Sequence, residues 1–238
     1  MKPSVSIIVP AYNEAEGLRG TYETLMRVFS TLSITEYELL IMSCGSVDGT
    51  LLVGDELARE NPRVRHIPNT VSPFLGHKYR EGVRAARHNY VSMVPAHNLT
   101  TEESLIGIFE KLGKAEAVFT YTSNTETRPI HARFVSRGFV ILWNTFFGFK
   151  MRYYNGISII RRQLVLRVPM TAEKNEYMAE IMTYLLASGA PYIETIQELK
   201  PSSRTGRVWN LSSVWQAICT LATVFWAVRI KKVRVDIS

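Results

Sequence analysis

The sequence predicts an α/β fold in which a doubly wound, mostly parallel sheet carries helices on its two faces. Short apolar runs rich in β-branched residues recur along the first half of the chain, and a segment with helical spacing follows most of them. Polar or glycine-containing turns separate these runs. Apolar residues make up 46% of the 238 residues and charged residues 21%, which suits a globular core.

Two strand–helix pairs open the chain. The run 4–10 (SVSIIVP) is typical of a buried strand, and the turn after it leads into a helix over 16–31 with apolar residues every three or four positions. The run 37–42 (YELLIM) predicts a second strand. A polar turn then leads into a helix over 51–60, which Pro62 ends.

Three more strands complete the regular half. The strand 90–94 stops at Pro95, which lacks the N–H that a central ladder needs, and a helix opens at Thr100 or Thr101 with two glutamates in its first turn. The remaining predicted elements are the strands 64–67 and 117–121 and the helices 76–87 and 105–114.

The second half is less regular. It predicts an apolar helix over 134–147, a turn leading into a strand within 153–162, a helix over 176–188, a strand over 192–199 and a loop over 201–207.

The last predicted helix, 211–230, is amphipathic. A narrow polar stripe recurs every three to four residues, a tryptophan lies near each end, and several cations follow. This pattern favours a helix that lies in a membrane interface. Packing on the domain or on a partner, which includes a homodimer, and a membrane span are the alternatives.

Charge and cysteine content narrow the partners and the compartment. The net charge of +7 favours anionic partners, and no aromatic-plus-basic module indicates nucleic acid. Cys44 and Cys219 lie far apart without metal-ligand spacing, and the N-terminus lacks a signal-peptide layout. A reducing, cytoplasmic location is expected.

Five segments, in order, resemble family 2 glycosyltransferases of the GT-A fold. They are SIIVPAYNEAEGL at 6–18, SCGSVDGT at 43–50, GHKYREGVRAARHNYV at 76–91, PAHN at 95–98 and YYNGISIIRRQLV at 153–165. The resemblance implies transfer of a sugar from a nucleotide-diphosphate sugar to a polyprenyl phosphate or a glycan, at the cytoplasmic face of a membrane. It divides the chain into a GT-A domain, 1–205, and a C-terminal helix and basic tail, 206–238.

The resemblance also assigns residues to the donor. Asp48 has a second interpretation as a helix cap, and Glu14 as a favourable charge at a helix N-terminus. The residues implied in nucleotide-sugar binding are Pro10, Ala11, Tyr12, Glu14, Cys44, Ser46, Asp48 and Ala96.

The sequence departs from the family where a metal is usually held. Cys44 replaces a nucleotide-contacting aspartate, and Pro95 and His97 replace the two aspartates of the DxD motif. Three interpretations stay open: His97 is a lone ligand of a divalent metal, Mn or Mg; the site works without metal through arginines; or the domain binds without catalysing. Imidazole suits Mn better than Mg.

Acidic and basic side chains in the second half complete the predicted site. Glu180 matches the family's acid near the acceptor, and Glu176 lies one turn earlier on the same helix face. Two solvated helix carboxylates are the alternative. The resemblance implies phosphate binding by Arg128, Arg133, Arg161, Arg204 and Arg207.

Overall fold

A seven-stranded mixed sheet forms the centre of the protein. The computed structural model describes residues 3–68, 74–127, 130–201 and 211–237. The predicted phosphate ligands Arg128, Arg204 and Arg207 lie outside these residues. The strand order is β3-β2-β1-β4-β6-β5-β7. The strands are β1 Val5–Ala11, β2 Tyr37–Ser43, β3 Val64–Ile67, β4 Tyr90–Met93, β5 Ala117–Thr122, β6 Ser158–Arg161 and β7 Tyr192–Gln197.

Eight α-helices surround the sheet within the described ranges. A short 3-10 turn, Thr125–Thr127, follows β5, and a π-helical turn, Trp226–Ile230, continues the last helix. The helices are α1 Ala15–Thr31, α2 Thr50–Glu60, α3 Leu75–Ala85, α4 Glu102–Phe109, α5 Ile130–Phe147, α6 Arg162–Arg167, α7 Tyr177–Ala187 and α8 Leu211–Phe225.

Strand β1 lies between two parallel neighbours, and all of its residues are buried. Its register places Ala11 opposite Ser43 of β2 and Ile8 opposite Met93 of β4. Both faces of such a strand must be covered, which explains the continuous apolar run in the sequence. Two cores provide this cover: α1, α2 and α4 pack on one face, and α3 and α5 to α8 pack on the other.

A buried carboxylate, Glu38, stabilises the edge of the sheet at which the parallel strands β1, β2 and β4 begin. Glu38 is 5% exposed and accepts hydrogen bonds from the Ser6 hydroxyl at 2.8 Å, the Arg87 amide at 2.6 Å and Arg65 at 3.0 Å. Burial acts to raise the pKa of Glu38, but these hydrogen bonds outweigh it and hold the pKa below its usual value. Glu38 therefore ties the start of β4 to the centre of the sheet.

The predicted α/β fold is confirmed, and its elements differ from the prediction mainly in the second half. Strand β6 runs antiparallel to both β4 and β5, so the sheet is mixed. Helix α6 follows β6 directly and is absent from the prediction, because its six residues are too few to show a helical period. Strand β7 ends at Gln197, two residues before its predicted end.

Helix α8 packs on the domain through one face. Leu221, Val224 and Val228 belong to the core that α7 shares, and the amide of Val235 donates to the Ser188 hydroxyl at 2.8 Å. Within the described parts of the chain, no helix has the length and apolar character needed to cross a bilayer. The predicted alternative of a membrane span therefore finds no support in α8.

Candidate functional site

The carboxyl ends of β1, β2 and β4 meet at one edge of the sheet, where open α/β folds bind ligands. Because Ala11 and Ser43 are register partners, the turns that follow them, 12–14 and 44–49, are neighbours. The loop 94–98 follows β4 on the other side of β1. The three motifs at 6–18, 43–50 and 95–98 thus come together.

Side chains join the turns after β1 and β2. The amide of Asn13 donates to the Ser46 hydroxyl at 3.1 Å, and the Asn13 side-chain oxygen accepts from the Val47 amide at 2.9 Å. Asn13 has a φ of 53°, a left-handed conformation that asparagine tolerates better than most residues. The Ala15 amide, at the start of α1, donates to Asp48 at 3.2 Å. The two turns are therefore held as one unit.

Asp48 also binds the first residue of α2, although the N-cap residue of this helix is Gly49 and not Asp48. Its carboxylate accepts from the Thr50 amide at 3.0 Å and from the Thr50 hydroxyl. The hydrogen bond from the Thr50 hydroxyl is the main reason that the pKa of Asp48 is lowered. The Thr50 hydroxyl in turn accepts from the Glu14 amide at 2.8 Å, which ties α2 to the start of α1.

The other predicted donor-binding residues line this edge with different exposure. Pro10 and Ala11 are buried in β1, and Ala96 is buried in the loop after β4. Tyr12 is 45% exposed, and Cys44 is half-buried at the end of β2. An exposed ring beside a buried strand end suits a nucleobase, and the nucleotide role of these residues stays a prediction.

The loop 95–98 lies directly on α1. A Cβ atom added to Gly17 would lie 2.6 Å from the Ala96 carbonyl oxygen, so only glycine allows this approach. The Thr21 hydroxyl donates to the same carbonyl at 3.0 Å. The position of this loop is therefore set by the α1 backbone and by neutral hydrogen bonds.

Asn98 connects this loop to the chain after β7. It has a φ of 51°, and its side-chain oxygen accepts from Lys200 Nζ at 3.1 Å and from the Thr24 hydroxyl at 3.3 Å. Its amide nitrogen lies against Gly20 of α1. Lys200 is thus a cation at the site that sequence reasoning missed. The sequence could have indicated Lys200, because it follows the predicted strand β7, and the carboxyl end of a strand parallel to β5 lies at this same edge of the sheet.

The donor set around the loop does not fit a resident divalent metal. Pro95 has no ligand atom in its side chain, and the Asn98 oxygen already accepts from two donors. Across 3–68, 74–127, 130–201 and 211–237, no three His, Cys, Asp or Glu side chains lie close enough together to hold a metal. His97 is half-buried in this loop, and hard cations need several oxygen ligands.

Three hydrogen-bonded side chains, Ser43, His66 and Asp55, lie at the end of β2. His66 Nε2 lies 2.8 Å from the Ser43 hydroxyl, and His66 Nδ1 lies 2.7 Å from an Asp55 carboxylate oxygen. The Ser43 side chain is fully buried, so it cannot serve as an accessible nucleophile. The three residues therefore fix the strand end that precedes Cys44.

Lys78 is a second cation that sequence reasoning missed, and unlike Lys200 it is buried. It is 1% exposed, and its Nζ donates to the Ala11 carbonyl at 3.3 Å, at the end of β1. It occupies the buried face of α3 together with Leu75, Tyr79 and Gly82, and a lysine on such a face was the available signal.

Glu180 is buried and held by a loop. Its two carboxylate oxygens accept from the Thr171 amide at 3.1 and 3.0 Å, from the Thr171 hydroxyl at 2.7 Å and from the Ala172 amide at 2.8 Å. Burial raises the pKa of Glu180, and these hydrogen bonds only partly oppose that effect. Neither Glu180 nor Glu176 is solvated, so the alternative of two solvated carboxylates is wrong.

Glu176 is the N-cap residue of α7, and the residue after it reaches the end of β4. The next residue, Tyr177, donates its hydroxyl to Met93 Sδ at 3.2 Å and packs on the Tyr79 ring. Glu176 is 2% exposed, and burial raises its pKa. A buried carboxylate with a raised pKa at the ligand-binding edge is a candidate general base.

The described arginines of the predicted phosphate site are not grouped at this edge. Arg161 ends β6, and because β6 is antiparallel, this end lies at the opposite edge, where Arg161 pairs with Glu116 at 2.6 Å. Arg161 therefore lies away from the turns after β1, β2 and β4, and its phosphate role stays a prediction. Arg133 is exposed in the first turns of α5, and its phosphate role stays a prediction.

Comparisons with known proteins agree with this architecture. The sequence model described as "Glycosyl transferase family 2" matches residues 6–167, more than half of the chain. "Glycosyltransferase AglD" of Haloferax volcanii is 27% identical over 56% of this chain and 21% of its own length. "Putative glycosyltransferase CsbB" of Bacillus subtilis is 36% identical over 26% of this chain and 19% of its own. The matches thus span about a fifth of these relatives.

Solved structures share the fold at low sequence identity. Glucosyl-3-phosphoglycerate synthase from Mycobacterium tuberculosis, in complex with Mn²⁺, uridine diphosphate and phosphoglyceric acid, superposes with a TM-score of 0.68. It is 16% identical, and the superposition covers 94% of this chain and 79% of that one. The same enzyme with uridine diphosphate alone gives a TM-score of 0.67. This similarity establishes the GT-A fold for the whole described domain.

Proposed function

The chain belongs to glycosyl transferase family 2, and on this premise we propose that it transfers a sugar from a nucleotide-diphosphate sugar to an acceptor at a membrane surface. The acceptor is a polyprenyl phosphate or a glycan. The observation that carries the proposal is the meeting of the turns after β1, β2 and β4 at one edge of the sheet. The start of α7, which carries the buried Glu176, reaches the end of β4 through Tyr177 and supports an acceptor side at the same edge.

The nucleotide end of the donor fits the turns after β1 and β2. These turns are held rigidly by Asp48 and Asn13, and they present the Tyr12 ring and Cys44 to solvent. A rigid pocket reduces the entropy that binding costs. The carbonyl-lined strand ends and the Ser46 hydroxyl offer hydrogen bonds to a base or a ribose.

Glu176 suits the acceptor end. Burial raises its pKa above the usual value for a glutamate, which makes it a stronger base, and the adjacent Tyr177 contacts Met93 at the end of β4. A hydroxyl acceptor transfers its proton to Glu176 as the new glycosidic bond forms. Glu180, whose oxygens are filled by the loop 171–172, holds the start of α7 in place.

A thermal-shift panel tests the donor site. Nucleoside diphosphates and their sugars are added to the intact protein with Mn²⁺, with Mg²⁺ or with a chelator. A ligand at 100 times its Kd stabilises the folded state by about 2.7 kcal/mol, which raises Tm by about 5–11 °C in a domain of this size. A rise specific to one base, followed by release of that nucleotide on transfer, supports the proposal. No rise with any of them refutes it.

A second candidate is a domain that binds nucleotide sugars without transferring them. It is favoured by the replacement of family carboxylates at Cys44, Pro95 and His97 and by the poor fit of the loop to a metal. Its result in the same panel is a thermal shift without nucleotide release in the presence of lipid or glycan acceptors.

The proposed membrane surface is formed by α5 and α8 together. The exposed face of α8 carries Trp215, Ile218, Trp226 and Ile230, which are 66%, 47%, 56% and 52% exposed. In its polar stripe, Gln216 and Thr220 are half-exposed and Thr223 is exposed. The predicted interfacial contact through 211–230 therefore gains an apolar face that points outward.

Helix α5 extends this face. The Phe146 ring packs edge-on against Phe225 at 5.7 Å, which sets the two helices side by side. The exposed apolar residues of α5 are Ile130, Phe134, Val135, Ile141, Leu142 and Phe146. Cations border the surface at Arg133, Arg137, Arg229, Lys231, Lys232 and Arg234. An apolar face bordered by cations matches an anionic lipid interface. The free cysteines Cys44 and Cys219 are in keeping with its cytoplasmic side.

Vesicle co-sedimentation tests this surface. The protein should bind vesicles that contain phosphatidylglycerol more tightly than phosphatidylcholine vesicles, and a Phe134→Ser/Trp215→Ser variant should lose most of this binding. Leu52→Ser is the matched control, because Leu52 is 60% exposed on α2, on the other face of the sheet. Equal loss in the control, or no binding by the wild type, would contradict the proposal.

A further inference from the structure

We propose that the donor site works without a resident metal and that the ammonium of Lys200, held by Asn98, binds the donor's diphosphate in its place. This inference rests on the proposed function, because it needs a nucleotide-diphosphate sugar as the ligand. It assigns a role to a residue that lies outside every motif of the sequence and outside the residues 6–167 that the family model matches.

Backbone hydrogen bonds place Lys200 beside the loop after β4. The Lys200 amide donates to the Leu99 carbonyl at 2.7 Å, and Leu199 forms an antiparallel bridge with Thr100. The Thr101 amide donates to the Glu198 carbonyl at 3.1 Å. The segment 198–200 therefore runs alongside 99–101, and the Lys200 side chain starts from a fixed point at the carboxyl edge of the sheet.

Asn98 then orients the ammonium. Its side-chain oxygen accepts from Lys200 Nζ at 3.1 Å, and its amide nitrogen packs where a side chain on Gly20 would lie only 2.8 Å away. The Thr24 hydroxyl donates to the same Asn98 oxygen at 3.3 Å. An amide oxygen neutralises no charge, so the cation is positioned and keeps its full attraction for an anion. Two of its three N–H donors remain for phosphate oxygens.

The loop itself offers no acid to a second cation. Residues 94–101 contain no carboxylate, and Glu102, the next acid along the chain, is paired with Arg27 at 2.8 Å. The carboxylate of Glu14 borders the loop on the side of Gly17, where an added Cβ atom would lie 3.2 Å from its Oε2 and 3.0 Å from the His97 Cα. A divalent metal placed beside Asn98 would be repelled by the ammonium. Of the two positions at which the family has its DxD aspartates, 95 and 97, only His97 has a side-chain atom that can bind a metal. A diphosphate in the same place is attracted to Lys200.

The chemistry of transfer needs such a cation. When the bond between the sugar C1 and the β-phosphate oxygen breaks, its electron pair stays on that oxygen, and the acceptor oxygen forms the new bond to C1. The acceptor's proton, where it has one, moves to Glu176. The negative charge that grows on the leaving diphosphate is stabilised by Lys200, which remains protonated throughout.

Calorimetric titration of the intact protein with UDP and GDP, in a chelator and then in Mn²⁺, tests the proposal, with UMP and GMP as ligands that lack the second phosphate. For the base that binds, wild type should bind the diphosphate equally well in both buffers. Lys200→Ala should weaken the diphosphate about 30-fold and the monophosphate by less than threefold, and Lys200→Arg should restore most of the loss. Lys114→Ala, which removes an exposed cation before β5 at the opposite edge, is the matched control.

Asn98→Asp provides a second variant that keeps the loop geometry. Its carboxylate neutralises Lys200, so it should weaken diphosphate binding in chelator about tenfold. Wild-type binding that requires Mn²⁺, or an unchanged affinity in Lys200→Ala, overturns the inference and leaves the proposed function intact. Absence of binding by either nucleotide in either buffer refutes both.

Discussion

The two buried glutamates at the start of α7 should have different roles: Glu176 acts as the general base, and Glu180 stabilises the fold. Glu176 and Glu180 lie one turn apart, are both almost fully buried and both have a raised pKa, yet only Glu180 accepts hydrogen bonds from the loop 171–172. We expect Glu176→Gln to lose transfer activity while the fold is kept. Glu180→Ala should lose stability, and Glu180→Gln should keep both stability and activity.

The size of each effect follows from the contacts. Glu180→Ala leaves the buried Ala172 amide without its acceptor, which costs about 1–3 kcal/mol, and removes one packed methylene, worth about 0.8 kcal/mol, together with the carboxylate. Release of a desolvated charge offsets part of this, so a net loss of about 2–3 kcal/mol is expected, or about 4–12 °C in Tm. In Glu180→Gln the amide oxygen still accepts from Ala172, and the amide nitrogen donates to the Thr171 hydroxyl.

Glu176→Gln changes the chemistry instead. Because burial raises the pKa of Glu176, its ionised form costs more in the folded state than in the unfolded chain, and the uncharged glutamine should leave stability equal or higher at neutral pH. Loss of a general base lowers the rate by about 10²–10⁴-fold for a hydroxyl acceptor. The wild-type rate should also fall as pH decreases through the raised pKa of Glu176, since the base must be ionised.

Chemical unfolding and nucleotide release, measured on the same preparations of each variant, test these two roles of Glu176 and Glu180. Near-normal turnover by Glu176→Gln would refute the base role and point to an acceptor that is already ionised, such as a lipid phosphate. Equal loss of activity in Glu180→Gln would refute the division of roles between the two carboxylates.

Two further predictions concern the scaffold. Gly17→Ala should destabilise the protein by about 2–3 kcal/mol, because the new Cβ would lie 2.6 Å from the Ala96 carbonyl oxygen, whereas Gly107→Ala in α4 meets no atom within 4 Å and should stabilise by about 0.5–1 kcal/mol; equal urea midpoints for the two variants would contradict this. Glu38 has a lowered pKa, so its contribution to stability is present above its unfolded pKa and is lost as pH falls through the folded value. Glu38→Gln should therefore flatten the pH dependence of urea unfolding between about pH 5 and 3, and an unchanged slope would count against the assignment.

The parallel half of the fold could be predicted because each of its elements carries its own local signal. A strand buried on both faces, such as β1, reads as a continuous apolar run, and Thr101 caps α4 where the sequence places a helix start, accepting from the Ser104 amide at 3.2 Å. The direction of β6 could not be predicted, because parallel and antiparallel strands of four residues have the same composition. That direction decides the location of Arg161, which lies at the edge of the sheet opposite the turns after β1, β2 and β4.

The candidate site was predictable where it follows the chain and unpredictable where it is assembled across it. The turn residues Ser46 and Asp48 lie where their motif places them, within a few residues of a strand end. Lys200 meets Asn98 across 102 positions of sequence, and His66 meets Ser43 across 23. Such contacts depend on the order and register of strands, which no local period encodes.

The loop after β4 shows why the family's acidic residues can be lost without loss of the fold. Its path is fixed by the Gly17 and Gly20 backbone, by the Thr21 hydroxyl and by the left-handed Asn98, and none of these contacts uses a carboxylate. An acidic pair at this position serves the ligand alone, so replacing it alters the charge presented to the diphosphate and leaves the scaffold in place. The same independence explains how a lysine from the end of β7 can take over a task that elsewhere belongs to a metal, because only the sign and the position of the charge matter to the leaving group.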